Sequence, residues 1–369
     1  MNDDLFGFCD SLGPSKIVHL HVPSAGLKGI VVVDNVATGP AIGGMRMAPD
    51  VDAEECYRLA RAMTFKNAVA GLPHGGAKSV ILADPAMPPK EKEQLIRAFA
   101  CAIRNLTDYI PGPDMGTDET AMAWVRDEIG RSVGLPREVG GIPLDEIGAT
   151  GFGLAVAAEV AQDFGDVKVA GARVAIQGFG AVGKHTARFL VERGAVLVGA
   201  SDSRGTVTNP DGIDVCKLIE FKQQHHSLAD YPDGQACGRE EIISVPCDIL
   251  VPAARPDVIR EDNVNRLNCK MVLQGANIPA TEAAEAKLHE RGVLCVPDFI
   301  ANAGGVICAS VEYHGGTEAT ALAMIEERLR YHTRQVLEIA KQKSIMPRVA
   351  AVELAEARIR RAMSLARWS

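Results

Sequence analysis

The stretch from residue 173 to residue 202 constrains the fold more than any other part of the sequence. RVAIQ (173–177) is a short apolar strand pattern, and it runs into the turn Gly178-Phe179-Gly180-Ala181-Val182-Gly183. A helical pattern follows, and then a second apolar strand pattern that ends at Asp202. The GxGxxG pattern alone is weak evidence for a nucleotide site, because the chain has 36 glycines and such a pattern can arise by chance. In this strand–turn–helix–strand context it predicts a dinucleotide-binding unit, with the helix N-terminus facing the pyrophosphate, rather than a turn that binds nothing.

Two residues at the end of the second strand bear on which dinucleotide is bound. Asp202 stands where an acidic residue commonly accepts hydrogen bonds from the adenosine ribose, which favours NAD. Arg204 could instead pair with a 2′-phosphate, which favours NADP. The sequence therefore favours NAD and leaves NADP open.

The segments around this unit predict an α/β protein with two domains. Strand patterns recur in DILVPAA, MVLQGAN and VLCVPD, with helical patterns between them, which indicates a doubly wound, Rossmann-type parallel sheet over 149–334. Residues 1–148 form a separate α/β domain. The last helices, 335–369, are predicted to return to that first domain because they have no strand of their own to cover.

Local patterns in the first domain predict specific elements. KIVHLHV and GIVVVDNV are β-branched runs joined by a short polar link, which indicates a hairpin-like strand pair. Asp52 and Glu55 form a helix-capping pattern ahead of a helix over about 53–70. Asp114 is predicted to lie in a turn-rich segment between two helices.

Composition excludes several classes of function. The formal net charge is −8 with no dense basic block, which argues against a nucleic-acid partner. No apolar run reaches the roughly 18 residues that cross a bilayer, and the N-terminus has no basic region typical of a secretory signal. The nine cysteines are widely spaced with no CxxC pair, which indicates reduced thiols, no metal site and a cytoplasmic location.

Two lysines and one aspartate are the candidate reactive groups. Lys66 lies late in the predicted helix, and Lys78 follows His-Gly-Gly-Ala immediately before a buried strand pattern. Most lysines are solvated surface charges. A lysine between a glycine turn and a buried strand is a better candidate for a desolvated amine that can lose its proton. Asp114 stands in GPDMGTDE.

Several motifs together resemble one enzyme family. GGMRMAP, MTFKNAVAGLPHGGAKS, GPDMGTDETAMAW, GFGAVG, QGAN and PDFIANAGGV occur in the order and spacing of the glutamate/leucine/phenylalanine/valine dehydrogenase superfamily, across nearly the whole chain. The resemblance implies NAD(P)-dependent oxidative deamination of an L-amino acid to its 2-oxo acid and ammonia. It also implies a homo-oligomer formed through the first domain.

The resemblance assigns roles to individual residues. Lys78 and Asp114 match the catalytic lysine and aspartate. The substrate-binding positions are Lys66 and Asn302 at the α-carboxylate and Gly43 and Gly44 through their backbone. Thr150 matches a threonine near the nicotinamide carboxamide, and Asn277 matches a position close to the cofactor.

This chemistry explains why these residue types are needed. The cofactor takes hydride from the α-carbon and leaves an iminium ion, to which water must add before ammonia departs. A neutral Lys78 is suited to deprotonate that water, and Asp114 to move protons to and from the amino group.

Two departures from the glutamate enzymes predict an apolar substrate side chain. The resemblance implies a lysine before the GG and a serine three positions after the valine of NAGGV; this chain has Ile42 and Ala309 there. A γ-carboxylate would then be buried without a partner, which is costly. With Val306, and with the small Gly112 leaving room, these positions favour leucine, valine or phenylalanine.

Three alternatives remain open at the level of sequence. Glutamate dehydrogenase is the first, because GPDMGT and ATGFG look closer to that branch. A 2-hydroxy-acid dehydrogenase would need a histidine–acid pair, and none is evident in the first domain. A nucleotide-sensing protein without turnover has no need of Lys66, Lys78 and Asp114 together. Fold alone does not separate these functions.

Overall fold

The computed structural model describes residues 6–225 and 227–366 and divides the chain into two compact units. Unit 1 comprises the chain up to Leu144, Val306–Ala321 and the chain from Glu353 onward. Unit 2 comprises Asp145–Gly305 and Leu322–Val352. In the described part of the chain, no helix is both long enough and apolar enough to cross a membrane.

Unit 1 is built on a five-stranded mixed sheet in the order β1-β2-β4-β3-β5. Its strands are β1 Lys16–Val22, β2 Leu27–Asn35, β3 Ala41–Ala48, β4 Gly76–Leu82 and β5 Tyr109–Pro113. Its helices are α1 Ala53–Val69, α2 Pro89–Ala102 and α3 Glu119–Ile129.

Unit 2 is built on a seven-stranded sheet in the order β12-β11-β10-β6-β7-β8-β9. Its strands are β6 Arg173–Gln177, β7 Val196–Ser201, β8 Thr206–Thr208, β9 Gln235–Cys237, β10 Ile249–Pro252, β11 Met271–Leu273 and β12 Leu294–Val296. Its helices are α4 Ala149–Ala161, α5 Ala181–Glu192, α6 Val215–Gln224, α7 Glu282–Glu290 and α8 Asp298–Ala301.

Three further helices cross the division between the units, and short 3₁₀ helices complete the secondary structure. The crossing helices are α9 Gly304–Tyr313, α10 Glu318–Lys343 and α11 Pro347–Met363. The 3₁₀ helices are Pro23–Ala25, Arg137–Val139, Leu228–Asp230, Arg239–Ser244 and Val264–Arg266.

The local predictions in unit 1 are confirmed where short-range chemistry determines the structure. β1 and β2 pair antiparallel along their whole length. α1 begins where expected because the Asp52 side chain accepts a hydrogen bond of 2.8 Å from the backbone N–H of Glu55. The helix ends at Val69, just before Gly71 adopts a left-handed conformation.

The prediction for the Asp114 segment was wrong in one respect. A strand, β5, precedes Asp114 and pairs parallel with β3, so Asp114 lies at the carboxyl end of a strand. Pro111 and Pro113 hid this strand in the sequence because proline lacks the N–H that a central strand needs. β5 tolerates them because it is the edge of the sheet.

The sheet of unit 2 is doubly wound, but it is not wholly parallel. β12, β11, β10, β6 and β7 pair parallel, and two short strands that the sequence did not predict, β8 and β9, extend the β7 edge antiparallel. The chain runs outward from β6 to β7 and then returns to place β10 on the other side. The β6–β10 boundary is the topological switch point where ligands bind in such sheets.

The first segment of unit 1 ends at Leu144, near the predicted boundary of 148, and the C-terminal segment changes unit at other positions than the predicted boundary between 334 and 335. Val306–Ala321 belongs to unit 1, where the Glu312 carboxylate accepts a bond of 2.7 Å from the N–H of Ile142. α10 stays largely with unit 2, where Arg330 pairs with Glu159 at 2.7 Å. The return to unit 1 begins at Glu353, beyond which Arg358 donates to the Ala68 carbonyl at 2.6 Å.

Candidate functional site

The centre of unit 1 is a buried ion pair between Lys78 and Asp114. Lys78 is on β4 with only 2% of its surface exposed, and its Nζ donates to Asp114 Oδ2. The Nε of Arg46, on β3, donates to Asp114 Oδ1 at 2.9 Å. Arg46 also pairs with Glu55 in the first turn of α1. Three neighbouring strands, β4, β3 and β5, therefore bring two cations onto one carboxylate.

The backbone around Asp114 fixes the direction of that carboxylate. The Asp114 N–H donates to Thr117 Oγ1 at 3.0 Å, and the Thr117 hydroxyl donates to the Met45 carbonyl at 2.7 Å. Gly44 lies directly against the aspartate, because a Cβ at that position would be 2.7 Å from Asp114 Oδ2. A side chain at residue 44 would therefore displace the carboxylate.

The two cations determine the protonation state of Asp114. Burial by itself would raise the pKa of this carboxyl group, but the charges and hydrogen bonds of Lys78 and Arg46 outweigh burial and hold the pKa at about 2. Asp114 is therefore a carboxylate at neutral pH. It can accept a proton only when one of the neighbouring charges changes.

Lys66 and Lys78 are carried by elements that pack closely together. Lys66 is buried in the last turn of α1. One residue later, Asn67 Nδ2 donates to the Gly75 carbonyl at 2.6 Å, which ties α1 to the turn before β4. Gly76 permits this approach, because a Cβ there would lie 2.0 Å from the backbone N of Thr64 in α1, while a Cβ at Gly75 would clash with Asn35 at the end of β2.

Two residues that the sequence analysis did not assign support this centre. Arg46 was visible in GGMRMAP, and the alternation of side chains along β3 would have put it on the same face as Gly44. Tyr109 on β5 is buried, with its hydroxyl bonded to Ser79 Oγ at 2.8 Å and to the Gly43 carbonyl at 3.2 Å. It fixes the Gly43 backbone beside the ion pair.

The positions assigned to the substrate side chain fill their own apolar cluster. Ile42 and Ala309, 2% and 4% exposed, pack with Ile110 and Val133. A Cβ at Gly112 would lie 3.2 Å from Val133, so this glycine borders the same cluster. Val306 is partly exposed and is not a member of the cluster. Ile42 and Ala309 are therefore covered by the protein's own side chains.

The glycine-rich turn of unit 2 fits a dinucleotide. Gly178 follows β6 at the switch point with a φ of 93°, a left-handed conformation that favours glycine. α5 begins at Ala181, and its first turn directs N–H groups without intrahelical partners toward the same end of the sheet. Phe179, Gly180, Val182 and Gly183 occupy the turn and first helical turn as the motif requires.

Asp202 lies just beyond β7, but its carboxylate is already engaged. Oδ2 accepts from Lys222 and from the N–H of Leu228, and Oδ1 accepts from the N–H groups of Arg204 and Gly205. Burial would raise the pKa of Asp202, but these donors lower it. An adenosine ribose must therefore share a carboxylate with Lys222, which the sequence analysis did not assign.

Asn302 and Asn277 come together in unit 2. Asn302 Nδ2 donates to the carbonyls of Gly275 and Ala276 at 3.2 and 3.3 Å and to Asn277 Oδ1 at 3.2 Å. Asn302 Oδ1 is buried without a hydrogen-bond partner, so an acceptor remains for a ligand donor. Thr150 lies in the first turn of α4, close to Gly305.

Among the described residues, no group of three or more histidine, cysteine or acidic side chains is arranged to hold a metal ion. The glycine-rich turn of unit 2 fits a dinucleotide, and unit 1 carries a buried lysine–carboxylate pair suited to proton transfer.

Comparison with known proteins identifies the family. Residues 14–131 match the model described as the Glu/Leu/Phe/Val dehydrogenase dimerisation domain, and residues 140–367 match the one described as Glutamate/Leucine/Phenylalanine/Valine dehydrogenase. The chain belongs to this family and is an NAD(P)-dependent amino-acid dehydrogenase. The dimerisation domain agrees with the predicted oligomer.

Individual relatives are similar over most of the chain. A glutamate dehydrogenase of Aeropyrum pernix is 38% identical over 90% of this chain and 85% of its own. An NADP-specific glutamate dehydrogenase of Saccharolobus shibatae is 39% identical over 89% and 82%. The hetero-hexameric glutamate dehydrogenase of Thermus thermophilus, solved with leucine bound, has a TM-score of 0.88 at 30% identity, covering 95% of this chain and 90% of its own.

These relatives overturn the predicted preference for an apolar amino acid. The Aeropyrum and Saccharolobus relatives, 38% and 39% identical, are glutamate dehydrogenases, and glutamate dehydrogenase was the first alternative. The structure gives the physical reason for the error: Ile42 and Ala309 pack against each other within unit 1, and their apolar character reflects that packing.

The depressed pKa of Asp114 predicts how stability responds to acid. A carboxyl whose pKa is about 2 when folded and near 3.8 when unfolded stabilises the fold fully above about pH 4. That contribution, about 2 kcal/mol, is lost as the pH falls toward 2. Urea unfolding of the native chain and of Asp114→Asn between pH 5 and pH 2 measures it.

We expect the native chain to lose about 2 kcal/mol more than Asp114→Asn over that interval. The exposed Asp84→Asn should follow the native curve. Parallel curves for the native chain and Asp114→Asn would show that Asp114 is not held by its two cations.

Proposed function

We propose that this chain catalyses the reversible NAD(P)-dependent oxidative deamination of L-glutamate to 2-oxoglutarate and ammonia. The observation that carries the proposal is the 38–39% identity to glutamate dehydrogenases across about nine-tenths of the chain. The buried Lys78–Asp114 pair supports it, since the chemistry requires a base for water and a carrier for the amino-group proton.

Unit 1 supplies substrate binding and proton transfer in this proposal. Lys66 binds the α-carboxylate, and Gly43 and Gly44 line the site through backbone that Tyr109 holds in place. Lys78 deprotonates the water that adds to the iminium ion. Asp114 takes and returns the proton of the amino group.

The ion pair couples the two proton transfers. While Lys78 carries its charge, it helps to hold the pKa of Asp114 far below neutrality. Before the reaction Lys78 must release its proton to solvent water; Asp114 then keeps only Arg46 as a paired cation and becomes more basic. Loss of the lysine proton therefore raises the affinity of Asp114 for a proton from the substrate amino group. In the direction of amination the same proton transfers run in the opposite order.

Unit 2 binds the dinucleotide through Gly178–Gly183, Asp202, Arg204, Thr150 and Asn277. When bound, the nicotinamide accepts the hydride of the substrate α-carbon. We assign substrate binding and oligomerisation to unit 1 and dinucleotide binding to unit 2. We also place the enzyme in the cytoplasm, where its nine free cysteines remain reduced.

A substrate panel tests the proposed reaction. The purified chain is incubated at alkaline pH with NAD or NADP and glutamate, leucine, valine, phenylalanine or tryptophan, and the reduced cofactor is followed by its absorbance. We expect turnover of glutamate. Lys78→Ala and Asp114→Asn should each lower kcat by at least a hundredfold, while Lys90→Ala on the exposed face of α2 should not.

Turnover of an apolar amino acid with none of glutamate would contradict the proposed substrate and leave the reaction type intact. Near-native kcat in both Lys78→Ala and Asp114→Asn, with native circular dichroism, would contradict the assigned roles. Binding of the cofactor with no turnover of any amino acid would favour a nucleotide-sensing protein.

The Lys222–Asp202 ion pair predicts that the enzyme accepts NADP as well as NAD. The Lys222 ammonium offsets the negative charge of Asp202, which would otherwise repel a 2′-phosphate placed near Arg204. Lys222→Met should free the carboxylate for the ribose hydroxyls and repel the 2′-phosphate. We expect the ratio of kcat/KM for NADP to that for NAD to fall about tenfold, the effect of roughly one charge-assisted hydrogen bond. An unchanged ratio would show that Lys222 does not face the cofactor. Lys217→Met, on the same helix, is the control.

A further inference from the structure

A buried polar network in unit 2 connects the C-terminal helix to the turn that follows β11. Arg348, in the first turn of α11, donates from Nε to Glu285 Oε2 at 2.6 Å. Its Nη2 donates to Gln274 Oε1 at 2.8 Å and to Asp298 Oδ1 at 2.9 Å. Gln274 in turn donates to Glu285. One guanidinium thus joins two acidic side chains and an amide that are almost fully buried.

This network holds a strained backbone. Ile278, which ends the turn after β11, has a φ of 50°, a conformation that a β-branched residue rarely adopts. Its N–H donates to Asp298 Oδ2 at 2.8 Å, and the other oxygen of that carboxylate is bonded to Arg348. The N–H of Asp298 donates to Gln274 Oε1 at 3.1 Å. Without Arg348, the carboxylate that holds Ile278 would lose its cation.

The same turn carries Asn277, which the family resemblance places close to the cofactor. Residues 274–277 contain Asn277 and the two carbonyls, Gly275 and Ala276, to which Asn302 Nδ2 donates. Asn302 Oδ1 is left as a buried acceptor with no partner. β10, β11 and β12 form the second half of the doubly wound sheet, the half that receives the nicotinamide when β6 and β7 receive the adenosine.

We propose that Arg348 is a positioning residue for the nicotinamide half of the dinucleotide. Through Asp298 and Gln274 it fixes the 274–278 turn, and through that turn it orients Asn277, the position that the family resemblance places close to the cofactor. It touches no reacting atom. The inference rests on the dinucleotide role of unit 2, and it does not depend on which amino acid is the substrate.

Direct measurements of dinucleotide binding distinguish a positioning role of Arg348 from a role in the stability of the fold alone. NAD, NADP and ADP-ribose, which lacks the nicotinamide, are titrated against native protein, Arg348→Met and Arg348→Lys by calorimetry. We expect Arg348→Met to raise the Kd of the complete dinucleotide about tenfold, with ADP-ribose changed by less than about twofold. Arg348→Lys should lie between, because an ammonium keeps the charge but its single nitrogen cannot span the four oxygens that the planar guanidinium contacts.

Arg291 provides the matched control in the same unit. It donates to the carbonyls of Val264 and Leu267 at 2.8 and 2.6 Å and has no bond to the 274–278 turn. Arg291→Met should lower Tm as Arg348→Met does while leaving every Kd within about twofold of native. If Arg348→Met does not fold, Arg348→Lys and Asp298→Asn make the same comparison.

Three results would overturn the inference. Native Kd values for NAD and NADP in the Arg348 variants would show that the network only stabilises the fold. Equal weakening in Arg291→Met, or equal weakening of ADP-ribose, would point to general loosening. Failure of the native chain to bind either dinucleotide would overturn both this inference and the role of unit 2. Binding without glutamate turnover would count against the proposed substrate alone.

Discussion

The rest of unit 1 depends on one buried carboxylate shared by two cations. Burying Lys78 on a central strand is costly unless its charge is compensated, and Asp114 compensates it from the end of β5. Arg46 then balances the pair and extends it to Glu55 on α1. This arrangement explains why Gly44 has no side chain, why Thr117 closes the Asp114 turn and why α1 packs against the glycines before β4.

Unit 2 also contains buried charged groups that are paired with one another. The side chains of Arg348, Glu285, Asp298 and Gln274 hydrogen-bond to one another beside the turn that we assign to the cofactor. The cost of burying these charges is offset by their mutual pairing, which also ties the 274–278 turn to Asp298. A fixed turn with one open acceptor suits a cofactor that must present one ring face to its substrate.

The features predictable from sequence were those determined by short-range chemistry. The Gly178 turn, the Asp52 cap of α1 and the β1–β2 pair all follow from neighbouring residues. β5 was missed because its prolines are tolerated only at a sheet edge, and the sequence does not show which strand is at the edge. The substrate side chain was misjudged for a related reason, since Ile42 and Ala309 lie 267 positions apart in the sequence and only the fold shows that they pack together.

We propose that Lys78 acts as the base within the Lys78–Asp114 pair, and chemical rescue tests this role most directly. Lys78→Ala leaves space where small primary amines can stand in for the missing ammonium. Glutamate oxidation by this variant should be nearly absent, should return with added methylamine or ethylamine, and should rise with the basicity of the amine. Arg46→Ala serves as a control in which the same amines should not reproduce that dependence. Native-like turnover of Lys78→Ala without amine, or no rescue by any amine in a variant that binds cofactor normally, would contradict the account.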